Sequence, residues 1–230
     1  MSKTTLRLAG LLALAVLAGC QPDSPELHGR AVFNGYNCKQ CHRVGYEGGK
    51  LGPDLSYVGF RKSPEFLDRW LSNPSAWKHN TVMPNFHFSP ALRKSLVAYL
   101  SSLQGQAYEG KKPWDAEEFA SDPVKKGGEI FVRAGCITCH GKNGSGGYPN
   151  NNVNGGKIPT LTNVADGYTK EELVKKISNG VRHPAKVDPS GEEPLLYMPQ
   201  WSEKLSPDEI AAVTDYLISL KPGGAKADSW

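Results

Sequence analysis

The chain has 230 residues, of which 39% are hydrophobic, 22% charged and 9% aromatic, with a formal charge of +4. Gly and Pro together make up about 18%, below the roughly 25–30% of low-complexity chains, which excludes wholesale disorder. The modest, dispersed charge excludes a nucleic-acid-binding surface, the length allows one large or two small domains, and no apolar run reaches the ~20 residues of a spanning helix.

At the N-terminus, Lys3 and Arg7 form a basic region ahead of an apolar run of eleven residues, 8–18. That is the length of a signal peptide and too short to span a bilayer. The run closes in Leu17-Ala18-Gly19-Cys20, which resembles the lipobox of bacterial lipoproteins. The resemblance implies a signal peptide over 1–19, lipidation of Cys20 and retention on a membrane by buried acyl chains. An ordinary secretory peptide cut near residues 13–15 is the competing reading. Residues 20–27 follow as a linker.

Four further cysteines stand in two strings, Cys38-Lys39-Gln40-Cys41-His42 and Cys136-Ile137-Thr138-Cys139-His140, 98 positions apart. Cys-x-x-Cys-His is the attachment signature of c-type haem. Two thiols at this spacing reach the two vinyl groups of one porphyrin, and the adjacent imidazole meets the iron. A shared zinc site would need both pairs to converge, and a thioredoxin-like pair leaves the histidine unexplained. Two covalently bound haem c groups are therefore expected.

The offset of 98 also relates Gly29-Arg30-Ala31-Val32-Phe33 to Gly127-Gly128-Glu129-Ile130-Phe131. In each, a glycine and an aromatic four apart share one helix face, and the glycine permits close approach of another helix. Ser63-Pro64-Glu65 opens a helix carrying Phe66, Leu67, Trp70 and Leu71. Ser89-Pro90 opens another with Leu92, Leu96, Tyr99, Leu100 and Leu103. Residues 105–121, with Gly105, Gly110 and Lys111-Lys112-Pro113, read as a linker, and Asp122-Pro123 restarts a helix. Thr169-Lys170-Glu171-Glu172 is a capping box, and so is Ser206-Pro207-Asp208-Glu209, which precedes Ile210, Val213, Tyr216, Leu217 and Leu220. No long alternating stretch asks for strands. The polar, glycine-rich run from Gly141 to Gly156 reads as a mobile surface loop.

Taken together, these motifs resemble a tandem dihaem protein of the class I cytochrome c family over nearly all of residues 28–220. The resemblance implies an all-α fold of two domains, 28–104 and 122–221, with a tail over 222–230. It implies that the first and last helices of each domain cross at the glycine–aromatic contact, pairing Gly29 and Phe33 with Tyr99, and Gly127 and Phe131 with Tyr216. His42 and His140 then ligate the irons from one side. The two methionines beyond Met1 fall one per domain, as Met83-Pro84 and Met198-Pro199, and are the expected ligands on the other side. His79 and His87 flank Met83 as alternatives. In this family a proline-loop carbonyl supports the proximal imidazole, and Pro53 and Pro159 occupy the matching places. Trp77 and Trp201 fit either a haem edge or ordinary core.

Imidazole opposite thioether leaves no open position on the iron and raises its potential. The expected function is single-electron transfer in a bacterial respiratory or related redox chain, by a carrier rather than an enzyme, with no small-molecule substrate. Transient docking with a redox donor and acceptor is expected, at the periplasmic side of a membrane. By resemblance to lipoprotein sorting rules, Gln21 leans towards the outer membrane. The alternatives are a tightly bound cytochrome subunit of a larger oxidoreductase complex and, behind it, a dihaem peroxidase.

Overall fold

The computed structural model describes residues 24–221. The expected signal peptide, Cys20 and the tail over 222–230 lie outside them. Each long helix starts at a side chain that accepts a backbone N–H of its own first turn. Ser24, Ser63, Ser89, Asp122, Thr169 and Ser206 play this part, and proline opens the helix in all but the Thr169 case. The first unit comprises α1 (Pro25–Gly35), α2 (Val58–Arg61), α3 (Pro64–Ser72), α4 (Pro74–Trp77) and α5 (Pro90–Ser102). Its hairpin pairs β1 (Arg43–Val44) antiparallel to β2 (Glu47–Gly48), with Arg43 opposite Gly48. The second unit comprises α6 (Pro123–Arg133), α7 (Ile137–His140), α8 (Val164–Gly167), α9 (Lys170–Asn179) and α10 (Pro207–Ser219). α1 begins inside the stretch expected to be linker, because Ser24-Pro25 is itself a cap followed by a first-turn proline.

In both units the first and last helices cross in the same way. A Cβ on Gly29 would overlap the Ser95 carbonyl of α5, and one on Gly127 would overlap the Ala212 carbonyl of α10. Phe33 and Tyr99 lie 5.3 Å apart between ring centroids, as do Phe131 and Tyr216.

Residues 105–121 are not a loose tether. Tyr108, Trp114 and Phe119 are buried, Trp114 completely. Trp114 Nε1 donates to Glu209 Oε1 at 2.5 Å, and Lys112 Nζ donates to both Glu209 oxygens at 2.7 and 2.8 Å. The same carboxylate caps α10 by accepting from Ser206 N at 2.8 Å. The segment is thus bolted to the last helix of the second unit.

The units meet through buried charge. Asp54 of the first unit pairs with Arg133 of α6 at 3.4 Å and accepts the Tyr108 hydroxyl at 2.8 Å. Arg133 also donates to the Gly45 carbonyl at 2.8 Å. The Arg61 guanidinium donates to the carbonyls of Asp54 and Gly135, at 3.0 and 3.1 Å. Tyr57 and Phe60 pack against Trp201 beside this seam.

Gly127→Ala should lower the unfolding midpoint of the loaded protein in denaturant titration, by about 1–3 kcal/mol of overpacking or more. Burial works to raise the Glu209 carboxyl, but the hydrogen bonds from Lys112 and Trp114 outweigh it and hold the group below the ordinary value of 4.5. A depressed carboxylate stabilises the fold above its unfolded value, and that contribution fades as pH falls through the lower folded value. Thermal melts of wild type should therefore lose stability below pH 4.5 more steeply than those of Glu209→Gln.

Candidate haem-binding sites

After α1, Asn37 takes a left-handed conformation (φ 54°) and turns the chain into the tight helical turn Cys38–Gln40. Cys41 and His42 follow. His42 Nδ1 sits 2.9 Å from the Pro53 carbonyl. Burial pushes the imidazole down, with the Pro53 carbonyl and Asp54 acting in opposition. A neutral ring donating from Nδ1 presents Nε2 as the ligand atom, the tautomer that such a carbonyl fixes. Gly52 leaves room for the ring: a Cβ there would lie 2.5 Å from His42 Cε1.

Cys38, Cys41, His42 and Met83 all line one cavity of about 1310 Å³, larger than the ~300–1,000 Å³ of common ligand pockets. Trp77 Nε1 and Arg43 Nε belong to residues of its wall, and both are buried donors without an acceptor. Such donors fit a bulky apolar group that brings acceptors of its own, as a porphyrin with carboxylates does. Burial also pushes the Cys38 thiol up to about 11 and Cys136 to about 12. The four cysteines form no disulfide.

Met83 is half-buried in this wall, and its sulfur accepts a hydrogen bond from Trp70 Nε1 at 3.0 Å. His79 also reaches the cavity but is exposed; His87 is exposed, has φ 50° and does not line it.

In the second unit α7 carries Cys139 and His140, with Cys136 at its N-terminus. His140 Nδ1 is buried and has no partner. Burial, then the charge of Lys62, pushes this imidazole down to about 4. The carbonyl contact that Pro53 makes to the imidazole of the first unit is not repeated by Pro159 in the second. The loop after His140 folds back, with Gly146 N donating to the His140 carbonyl at 2.7 Å, and the Pro159 carbonyl faces Gly146. Met198 is held beyond α9 by a pair of backbone bonds with Val181, at 2.8 and 3.1 Å.

The run from Gly141 to Gly156 is tied down rather than free. Asn150, Asn151 and Asn152 each exchange side-chain hydrogen bonds with the backbone of residues 188–196. Lys62 of the first unit reaches across to Cys139 Sγ at 3.1 Å.

A cytochrome c family model matches residues 27–104 and 124–221. The chain belongs to the cytochrome c family. Its two cytochrome c units carry two covalently bound haem c groups. Similar proteins include the cbb3-type cytochrome c oxidase subunit FixP of Azorhizobium caulinodans, 30% identical over 81% of this chain and 57% of that protein. FixP of Bradyrhizobium diazoefficiens is 28% identical over 94% of this chain and 69% of its own length. Cytochrome c6 of Euglena gracilis is 34% identical over 44% of this chain and 97% of its own. The chain thus spans little more than half of the Azorhizobium protein. None of the described helices is long and apolar enough to cross a membrane.

The sequence places Trp70 on an apolar helix face and gives no sign of its bond to Met83. Helical spacing signals burial, but nothing local says where an indole N–H will point. An N–H donor draws electron density from a ligating sulfur and favours reduced iron. With Met83 as the ligand that the sequence leads one to expect, Trp70→Phe should lower the midpoint potential of the first cytochrome c unit, by up to about 40 mV for a hydrogen bond of ~1 kcal/mol, in an optical redox titration.

Proposed function

We propose that this dihaem cytochrome passes single electrons between protein redox partners at the periplasmic face of a bacterial membrane. Cys38 and Cys41, and Cys136 and Cys139, hold the two porphyrins through thioethers. His42 with Met83, and His140 with Met198, would hold the two irons. Each haem would supply a one-electron iron couple, and an iron held by both a histidine and a methionine would have no coordination position left for a substrate. The observation that carries this reading is the first cavity, which both thiols, a carbonyl-held imidazole and a hydrogen-bonded thioether line together.

The protein supplies the surroundings. The Pro53 carbonyl keeps His42 in its ligating tautomer, Trp70 moderates the thioether, and the apolar side chains of Phe33 and Leu96 keep water from the cavity. Partner contacts of such carriers are small and transient. Lipidation of Cys20 supplies the membrane attachment, with Gln21 favouring the outer membrane. The domain limits 28–104 and 122–221 stand with this reading.

The likeness to FixP, named as a cbb3-type oxidase subunit, supports a second reading: a cytochrome docked permanently in a larger oxidoreductase complex. Purification in native lipid separates the two. A constant stoichiometric partner favours the subunit, and an exchanging one favours the carrier.

The central test is a redox titration with optical and EPR detection of wild type, Met83→Ala and Met198→Ala. Each variant should lose the thioether signature of one haem, with a lower potential there, and retain the other. Ready binding of carbon monoxide or cyanide at a wild-type centre would overturn the ligand assignment for that unit and favour a peroxidase.

A further inference from the structure

Trp70 packs against aromatic rings from both units. The ring of Phe66, one helical turn earlier on α3, lies 6.3 Å away between centroids with planes at 21°. The ring of Tyr148, from the second unit, lies 6.4 Å away at 33°. Tyr148 is buried, and it belongs to a cluster with Phe66, Leu195 and Leu196 against which Trp70 and Trp77 pack. Its backbone is fixed as well. The Tyr148 carbonyl accepts from Ile158 N at 2.8 Å, and two residues on the Asn150 side chain is bonded to Leu196 in both directions. Lys62 Nζ lies over both flanking rings, 4.5 Å from the Phe66 centroid and 5.3 Å from that of Tyr148.

An indole on a helix has two side-chain torsions, and a hydrogen bond weakens steeply when its donor turns away. The contact from Trp70 Nε1 to Met83 Sδ therefore depends on what holds the indole plane. Phe66 packs on the indole from within the unit, and Tyr148 packs on it from outside.

We propose that Tyr148 is a positioning residue for the iron ligand of the first unit, holding Trp70 in the orientation that hydrogen-bonds Met83. Docking of the second unit is thereby registered at the first unit's thioether. The proposal rests on Met83 being that ligand, as in the function proposed above.

The test uses the full-length haem-loaded protein, titrated optically, with Met83→Ala identifying the couple of the first unit. Tyr148→Ala should shift that couple towards oxidised iron about threefold, or about 30 mV at 59 mV per tenfold for one electron, and alter its thioether signature. Tyr148→Phe, which keeps the ring, should restore both. In a Trp70→Phe background Tyr148→Ala should add nothing, since the bond it supports is already gone. If Tyr148→Ala does not accumulate, Tyr148→Leu takes its place.

An unchanged first-unit couple in Tyr148→Ala, or a shift of the same size in the Trp70→Phe background, would overturn the proposal. If Met83→Ala leaves the thioether signature of the first unit intact, the ligand assignment fails instead, and the two failures are told apart.

Discussion

Each unit depends on one close crossing of helices. Where Gly29 meets the Ser95 carbonyl and Gly127 meets that of Ala212, the backbones approach more nearly than any side chain would allow. The helix that leads into the haem motif is thereby fixed to the helix that ends the unit. In the first unit the His42 turn and the Met83 loop, both between these helices, line the cavity. A small domain buries little surface of its own. The cofactor is therefore part of the core of the first unit, and the donors left unsatisfied on Trp77 and Arg43 mark where that core is incomplete without it.

The helices are legible in the sequence because their starts are chemical. A serine, threonine or aspartate ahead of the first turn, usually with proline beside it, announces a helix whatever surrounds it later. The haem strings and the glycine–aromatic pairs are legible for a similar reason, since spacing alone carries their meaning. Two stretches mislead. Residues 105–121 have the glycine, lysine and proline of a tether, yet Tyr108, Trp114 and Phe119 are buried. Three aromatics in so short a stretch are the available signal. The run from Gly141 to Gly156 has the composition of a mobile loop, but three consecutive asparagines in it, Asn150, Asn151 and Asn152, bind a loop some forty residues away, a pairing that no local pattern encodes.

The charged seam is also invisible in sequence. Arg61 and Arg133 look like ordinary surface residues of helix ends, and both are buried. Asp54 follows Pro53, so the turn that supports His42 continues directly into the residue that meets the second unit. Lys62, next to Arg61, touches Cys139. The two haem sites are therefore built on adjoining stretches of one interface, although 98 positions separate their motifs.

That shared seam changes what it means to divide the molecule. A fragment beginning at Asp122 would keep the Arg133 guanidinium and its longer-range partner Glu129 but leave Asp54 on the discarded half. A fragment ending at Gln104 would keep Asp54 and lose both Arg133 and the Tyr108 hydroxyl. Cutting the seam forfeits these bonds and exposes the faces of Tyr57, Phe60 and Trp201 that pack beside it, a loss that counts against the marginal stability of a small domain. The halves repeat one pattern of sequence, but a shared seam of charge and aromatic rings joins them.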